Sequence, residues 1–214
     1  GGEGCGRMKI ALGEGPVAVF NDNRGQLFEF FQEQYERVSV REPRLYREEV
    51  PWDNVPGAMP FTRGAIGAIF TTDVLSYYIE GAPGVGRQGG LDVRNQPSAR
   101  GAIASFAEFT KLALATALDV DPGEFRIGRQ PFRKDGCETE QVFIADALEN
   151  GAGYSRWAAN PANLREALFA YQAVVAPKWQ AAQHARDCDR SCPDCLRNYA
   201  NRFSHGILDW RLAL

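Results

Sequence analysis

No stretch of this chain approaches the ~18 consecutive apolar residues that a membrane-spanning helix requires. No basic start followed by an apolar block is present, so no secretory signal is read and a cytoplasmic location is expected. Excess charge of either sign is also missing. The 24 Lys and Arg stand against 27 Asp and Glu, for a net charge of -3 and a pI of about 5.5. Proteins that coat nucleic acid by bulk charge carry a basic footprint, so any DNA contact here would need a local basic face or a partner. Internal repeats and heptads are absent, which excludes solenoids and coiled coils. The glycine-rich segment GAPGVGRQGG (81–90) lacks the G-K-[ST] ending that sets a lysine on phosphates and a hydroxyl on magnesium. With no other such motif, the chain carries no nucleotide-driven motor. The opening GGEGCGRMKI has no initiator methionine and leads almost at once into a strand-like segment. It is read as a piece of, or the tail of, a longer polypeptide.

What is present is ordinary for a globular domain: 44% hydrophobic and 24% charged residues over 214 positions. That length supports one sizeable core or two small ones. Residues 16–31, PVAVFNDNRGQLFEFF, place two β-rich runs around Asn-Asp-Asn-Arg-Gly and read as a hairpin. Residues 32–62 are polar and proline-containing and read as a long surface excursion. Residues 64–81 are apolar and β-branched, as one long strand or a strand pair. Residues 81–97 read as a flexible loop. Apolar residues at 103, 106, 109, 113 and 117 predict a helix over 98–118 with Ser98 as N-cap, stopped by VDPG. VFIAD (142–146) reads as a buried strand and ENGAGY (149–154) as a tight turn. A second helix is expected from about Asn163 to the cysteines, striped by Leu164, Leu168, Tyr171 and Val175 and kinked at Pro177. The expected class is α/β, with α+β as its variant: a single domain with a small mixed sheet and two main helices. Residues 1–186 would form the body and 187–214 a zinc-knuckle tail packed on it.

Three of the five cysteines crowd into CDRSCPDC: Cys188, Cys192 and Cys195. An odd, clustered set argues against a secreted disulfide framework and for metal in a reducing compartment. In CPDC the chain turns so that both sulfurs face one ion while backbone N–H groups donate to them. A structural zinc wants four ligands in a tetrahedron. His205, ten residues after Cys195, is the preferred fourth ligand, and His184, one helical turn before Cys188, is the second choice. Cys5 and Cys137 are remote alternatives. The only two histidines thus flank the cluster. Buried free cysteines, with His205 as a core or capping residue, are the bland reading. A catalytic zinc or a Cys–His nucleophile pair fits a thiolate-rich shell less well.

Two further sets carry candidate function. Asp146 ends a strand and opens DALENGAGY, the place where α/β folds put ligand loops. Asp146, Asn150, Gly151, Gly153 and Tyr154 are a candidate ligand or partner face, with Asp146 as a general base in a hydrolase or nuclease pocket. The competing reading has Asp146 and Asn150 capping turns and Gly151 and Gly153 letting the chain reverse. In the tail, Arg197, Tyr199 and Arg202 are candidate DNA contacts, since arginine beside aromatics grips phosphates and stacks on bases. Four interleaved aspartates leave an ion-paired surface as the alternative.

FTTDVL (70–75), IADALENGAGY (144–154) and the tail from Cys188 to LDWRLAL occur in that order. Together they resemble the Mrf-type zinc-binding domain that closes many bacterial superfamily-two DNA helicases and helicase-associated proteins, including DISARM-like anti-phage defence proteins. The resemblance runs from NDNRGQLF (21–28) to the end of the chain. It implies zinc held by Cys188, Cys192 and Cys195. The family's fourth cysteine has no counterpart near Asn201, and His205 stands as its substitute. The resemblance further implies a non-enzymatic accessory module with a helicase partner and DNA contacts. A pure protein-interaction scaffold is the remaining alternative.

Overall fold

The computed structural model of the chain describes residues 7–21, 28–32, 38–41, 62–80, 91–94, 96–134 and 137–214. The centre of the expected hairpin turn, most of the 32–62 excursion and the 81–90 loop lie outside them. The chain divides into two compact units, one of Gly1–Gly15 with Thr71–Leu214 and one of Pro16–Phe70.

In the smaller unit, β2 (Phe28–Gln32) pairs antiparallel with β3 (Val38–Arg41) on one side and β4 (Thr62–Gly64) on the other. The order is β3-β2-β4. The two runs expected to form a hairpin are both strands, yet they belong to different sheets. β1 (Arg7–Asn21) neighbours β5, and β2 pairs with β3 and β4.

The four-stranded sheet has the order β1-β5-β7-β6, with β5 at Ile66–Glu80, β6 at Phe125–Lys134 and β7 at Cys137–Asp146. Residues 64–81 therefore hold one long strand, preceded by the short β4. β5 pairs antiparallel with β7 from Val74↔Ala145 to Tyr77↔Val142. β6 pairs antiparallel with β7 along its whole length, from Phe125↔Asp146 to Lys134↔Cys137. The α/β class holds, and these antiparallel ladders give it the α+β form. β6 is an edge strand, which is where Pro131, with no N–H for a second ladder, is tolerated. The sequence reading passes over β6 because Arg, Gln and Pro fill most of its outward positions.

One helix, α1 (Pro97–Leu118), organises the larger unit. Pro97 occupies its first turn, where a missing N–H costs nothing. Gln96 rather than Ser98 is the N-cap, without a side-chain bond. At the other end Asp119 adopts a left-handed conformation (φ 54°), and its N–H returns to Ala115 and Thr116. α1 is apolar nearly all round, as a helix with neighbours on every side must be. Ile103, Ala107 and Leu114 pack on the sheet residues Leu75, Tyr77, Val142 and Ile144. Ala104 and Phe109 belong to a second core with Val175, Trp179, Leu208 and Trp210. Phe106 packs against both, whereas Ala117, expected on the buried stripe, is exposed. Each large side chain so buried contributes about 1.5–3 kcal/mol. Among the described residues Ser98–Leu118 is the one helix long and apolar enough to cross a membrane, and most of it is buried in the protein. Glu108 and Lys111 interrupt its apolar run as a buried ion pair at 2.8 Å.

After β7 come α2 (Tyr154–Ala158), α3 (Pro161–Trp179), α4 (Ala182–Asp187) and α5 (Trp210–Ala213). Asn160 caps α3 by accepting from the Ala162 N–H, so the helix starts at Pro161, two residues ahead of the expected start. The predicted stripe is observed: Leu164 and Val175 are buried and Leu168 and Tyr171 are half-buried, extended by Ala167 and Trp179. The helix expected to run to the cysteines is two helices. α3 stops two residues past Pro177, and the chain starts again as α4.

Candidate metal centre

α4 is short, but it sets the first two donors. His184 and Cys188 are four residues apart, so both project from one face, and the Cys188 N–H closes the turn on the His184 carbonyl at 2.8 Å. The Cys192–Cys195 knuckle supplies the other two. There the Cys195 and Arg197 N–H groups both donate to the Cys192 carbonyl, at 3.1 and 3.0 Å. The Cys192 N–H donates to Cys195 Sγ at 3.1 Å, the backbone-to-sulfur bond that steadies a thiolate.

The four donor atoms of His184, Cys188, Cys192 and Cys195 lie within 4.8 Å of one another. Cys188 Sγ and Cys192 Sγ are each 3.8 Å from Cys195 Sγ, and Cys192 Sγ is 3.5 Å from His184 Nε2. Zinc bonds of about 2.3 Å to sulfur and 2.0–2.1 Å to nitrogen, at tetrahedral angles, set neighbouring sulfurs ~3.8 Å apart and sulfur to nitrogen ~3.6 Å. The donor set and its spacing therefore fit a closed Cys3His zinc site. No disulfide joins the three cysteines.

The surroundings fix the donors. His184 Nδ1 is 2.8 Å from the Trp179 carbonyl, which can only accept. Nδ1 therefore carries the proton, and Nε2 presents its lone pair to the cluster. The Trp210 ring meets the His184 ring edge-on at 5.4 Å, and its Nε1–H donates to the Cys188 carbonyl at 3.3 Å. Cys188 and Cys195 are buried in the second core. Burial first, and then the neighbouring thiols, push the Cys188 thiol up to about 12. Burial also raises the Cys195 thiol. A metal ion must displace those protons, so its binding strengthens as the pH rises.

His205, the preferred fourth ligand in the sequence reading, is elsewhere. Its Nε2 is 3.0 Å from the Asn198 carbonyl and 2.9 Å from Asn201 Oδ1. Both are acceptors, since Asn201 Oδ1 also receives the Asn198 N–H while its Nδ2 donates to the Leu196 carbonyl. Nε2 is thus a donor occupied in locking the 198–205 turn. The histidine on the helix, at i and i+4 to a cysteine, takes the fourth corner instead. Cys137 opens β7, and Cys5 lies outside the described residues.

Asp146 is fully buried, and its carboxylate accepts three backbone N–H groups of its own turn: Ala152 (2.8 Å), Tyr154 (3.0 Å) and Ser155 (2.8 Å). It orders NGAGY and the start of α2, as the turn-capping reading expects. FTTDVL closes on the same turn. Thr72 Oγ1 donates to the Leu148 carbonyl, and the Asn150 N–H donates to the Thr71 carbonyl, each at 2.8 Å. Gly151, at φ 74°, lies so near Asp73 that a Cβ would meet its carboxylate at 3.0 Å. Gly153 also has positive φ, as does Asn150. Asp73 in turn holds Arg156 through two bonds at 2.9 and 3.3 Å. The part sequence reasoning missed is this joining of two separated motifs into one structure.

Of the arginine–aromatic candidates, Arg197 is half-buried and donates through Nε to Ser191 Oγ at 2.9 Å. Tyr199 is exposed, and the Arg202 guanidinium carbon lies 4.6 Å from its ring centre.

Residues 106–196 match the family model of the MrfA Zn-binding domain. All four clustered donors fall within that span. Over 115 residues, 52% of the chain, it is 34% identical to the Druantia protein DruE of Escherichia coli (strain UMEA 4076-1), spanning 6% of that protein. The crystal structure of the DUF1998 helicase MrfA bound to DNA aligns with 93% of the chain at 10% identity and a TM-score of 0.41, over 24% of its own length. The matched regions span a small part of the length of each protein. The match to the MrfA Zn-binding domain model and the Cys3His geometry thus fall on the same stretch of the chain, residues 106–196.

Proposed function

We propose that the chain is a zinc-ordered accessory module of a DNA-processing machine in anti-phage defence, working beside a superfamily-two helicase. The observation that carries the reading is the Cys3His cluster of His184, Cys188, Cys192 and Cys195, set at zinc spacing inside the family match. The similarity to a Druantia protein and the resemblance to the helicase-closing domain supply the context.

In this reading the ion is structural. A closed four-ligand shell leaves no position for substrate or activated water. Its binding free energy, on the order of 10 kcal/mol for small thiolate sites, would go largely into folding the tail. The residues available to a partner are the outer part of the DALENGAGY turn, where Leu148 and Asn150 are exposed, and the turn carrying Tyr199 and Arg202. Asp146 gives little support to a hydrolase, because both its oxygens are occupied by backbone amides.

The test is native co-purification. The tagged chain is recovered from its own host with and without nuclease, its partners are identified by mass spectrometry, and its zinc content is measured. Recovery of a superfamily-two helicase that survives nuclease, with about one zinc per chain, is the expected result. Recovery of no partner would remove the accessory reading, and the absence of zinc would remove the structural-ion reading.

A further inference from the structure

The turn after the zinc knuckle exposes two large aromatic rings on a fixed backbone. Tyr199 is 76% and Phe203 is 74% exposed. Between them the Arg202 guanidinium carbon sits 4.6 Å from the Tyr199 ring centre and 4.5 Å from that of Phe203. The backbone beneath is tied from several sides. Asn198 and Asn201 exchange bonds between each N–H and the other's Oδ1, at 2.9 and 3.1 Å. Asn201 Nδ2 holds the Leu196 carbonyl at 2.7 Å, next to the metal donor Cys195. His205 closes the far end on Asn198 and Asn201.

Such rigid presentation of exposed rings lowers the ordering cost of binding. A guanidinium has five N–H donors, and here one reaches the Tyr199 carbonyl at 3.5 Å, which leaves donors for an anion. Both rings remain mostly exposed beside it. Ring, cation and ring in succession complement base, phosphate and base along an unpaired strand. A duplex keeps its bases stacked inside and offers these ring faces nothing.

We propose that Tyr199, Arg202 and Phe203 form a single-strand DNA contact, the two rings stacking on bases and Arg202 holding the intervening phosphate. This rests on the DNA-processing reading above and specifies its strand type. It also replaces Arg197, whose Nε is committed to Ser191, by Phe203 as a contact residue.

The experiment measures fluorescence anisotropy of the full chain with a labelled oligo-dT single strand and with a duplex of equal length. The variants are Tyr199→Ala, Phe203→Ala, Arg202→Ala and Arg197→Ala, with zinc content recorded for each. Single-strand binding should exceed duplex binding. It should weaken roughly tenfold on loss of either ring, with zinc retained. Arg202→Ala should also lower the salt dependence by about one phosphate contact. Single-strand binding that persists when both rings are removed would overturn the stacking contact and leave the DNA reading standing. A wild-type chain that binds neither strand form would overturn both, while the zinc module stands. If removal of the rings instead abolishes recovery of a helicase partner and leaves single-strand binding unchanged, the turn is a protein-docking surface and the proposal fails.

Discussion

The Trp179 carbonyl, on the last residue of α3, takes the Nδ1 proton of His184 at 2.8 Å. This bond decides which histidine completes the cluster. The break between α3 and α4 lets the chain double back so that a ring five residues on can reach that carbonyl with its far nitrogen aimed at the cysteines. His184→Ala and Cys192→Ser should each lose zinc and unfold the tail, while His205→Ala should keep full zinc. Metal analysis alongside thermal melts checks this. Full zinc and native melting in Cys192→Ser would sink the structural-ion assignment.

His205 has its own measurable role. Removing its ring leaves the Asn198 carbonyl and Asn201 Oδ1 short of a donor. His205→Ala should cost about 1–2 kcal/mol in urea unfolding, without metal loss.

Asp146 is a fully buried carboxylate on which a whole turn depends. Asp146→Ala strands three N–H groups of the NGAGY turn, each at 2.8–3.0 Å in the native protein. Loss of these charge-assisted bonds should destabilise the chain by roughly 3 kcal/mol or more. Gly151→Ala should cost about 1–3 kcal/mol by forcing a Cβ against Asp73 at positive φ. Denaturant titrations of the two variants read these values.

A third cluster predicts a pH profile. Lys134 Nζ lies 2.7 Å from Glu80 Oε1 and hydrogen-bonds the Tyr78 hydroxyl. The Lys134 bond holds the Glu80 carboxyl below its usual range, and Glu80 and Tyr78 raise Lys134. A lowered carboxyl contributes stability above the usual carboxylate range and loses it as the pH falls through its native value. A raised ammonium contributes below its ordinary value and loses it as the pH climbs through the native one. Lys134→Met should therefore flatten the acid limb of the stability curve relative to wild type. Identical limbs would count against the coupling.

Much of this was legible in the residues. The cysteine spacing and the two flanking histidines pointed to a metal, and the 164–168–171–175 stripe marked the buried face of α3. The choice between histidines was not legible, because it depends on where α3 stops. A spacing of ten after Cys195 and a spacing of four before Cys188 look equally serviceable until the helix break is known. The edge strand β6 hid behind Arg126, Gln130, Pro131 and Arg133, because an edge needs no apolar outer face. The burial of α1 on two sides was also hidden: Ile103 and Phe109 share one stripe by sequence spacing, yet they serve different cores.

That division of α1 has a consequence for how the chain holds its ion. The helix is a common wall: one surface is lined by the sheet, the other by the layer in which Cys188 and Cys195 are set. Neither compartment keeps its shape if the wall shifts. Weakening the sheet side should therefore loosen the ion. A Leu114→Ala change on the opposite surface should then be felt as easier zinc release, read by competition with a chelator.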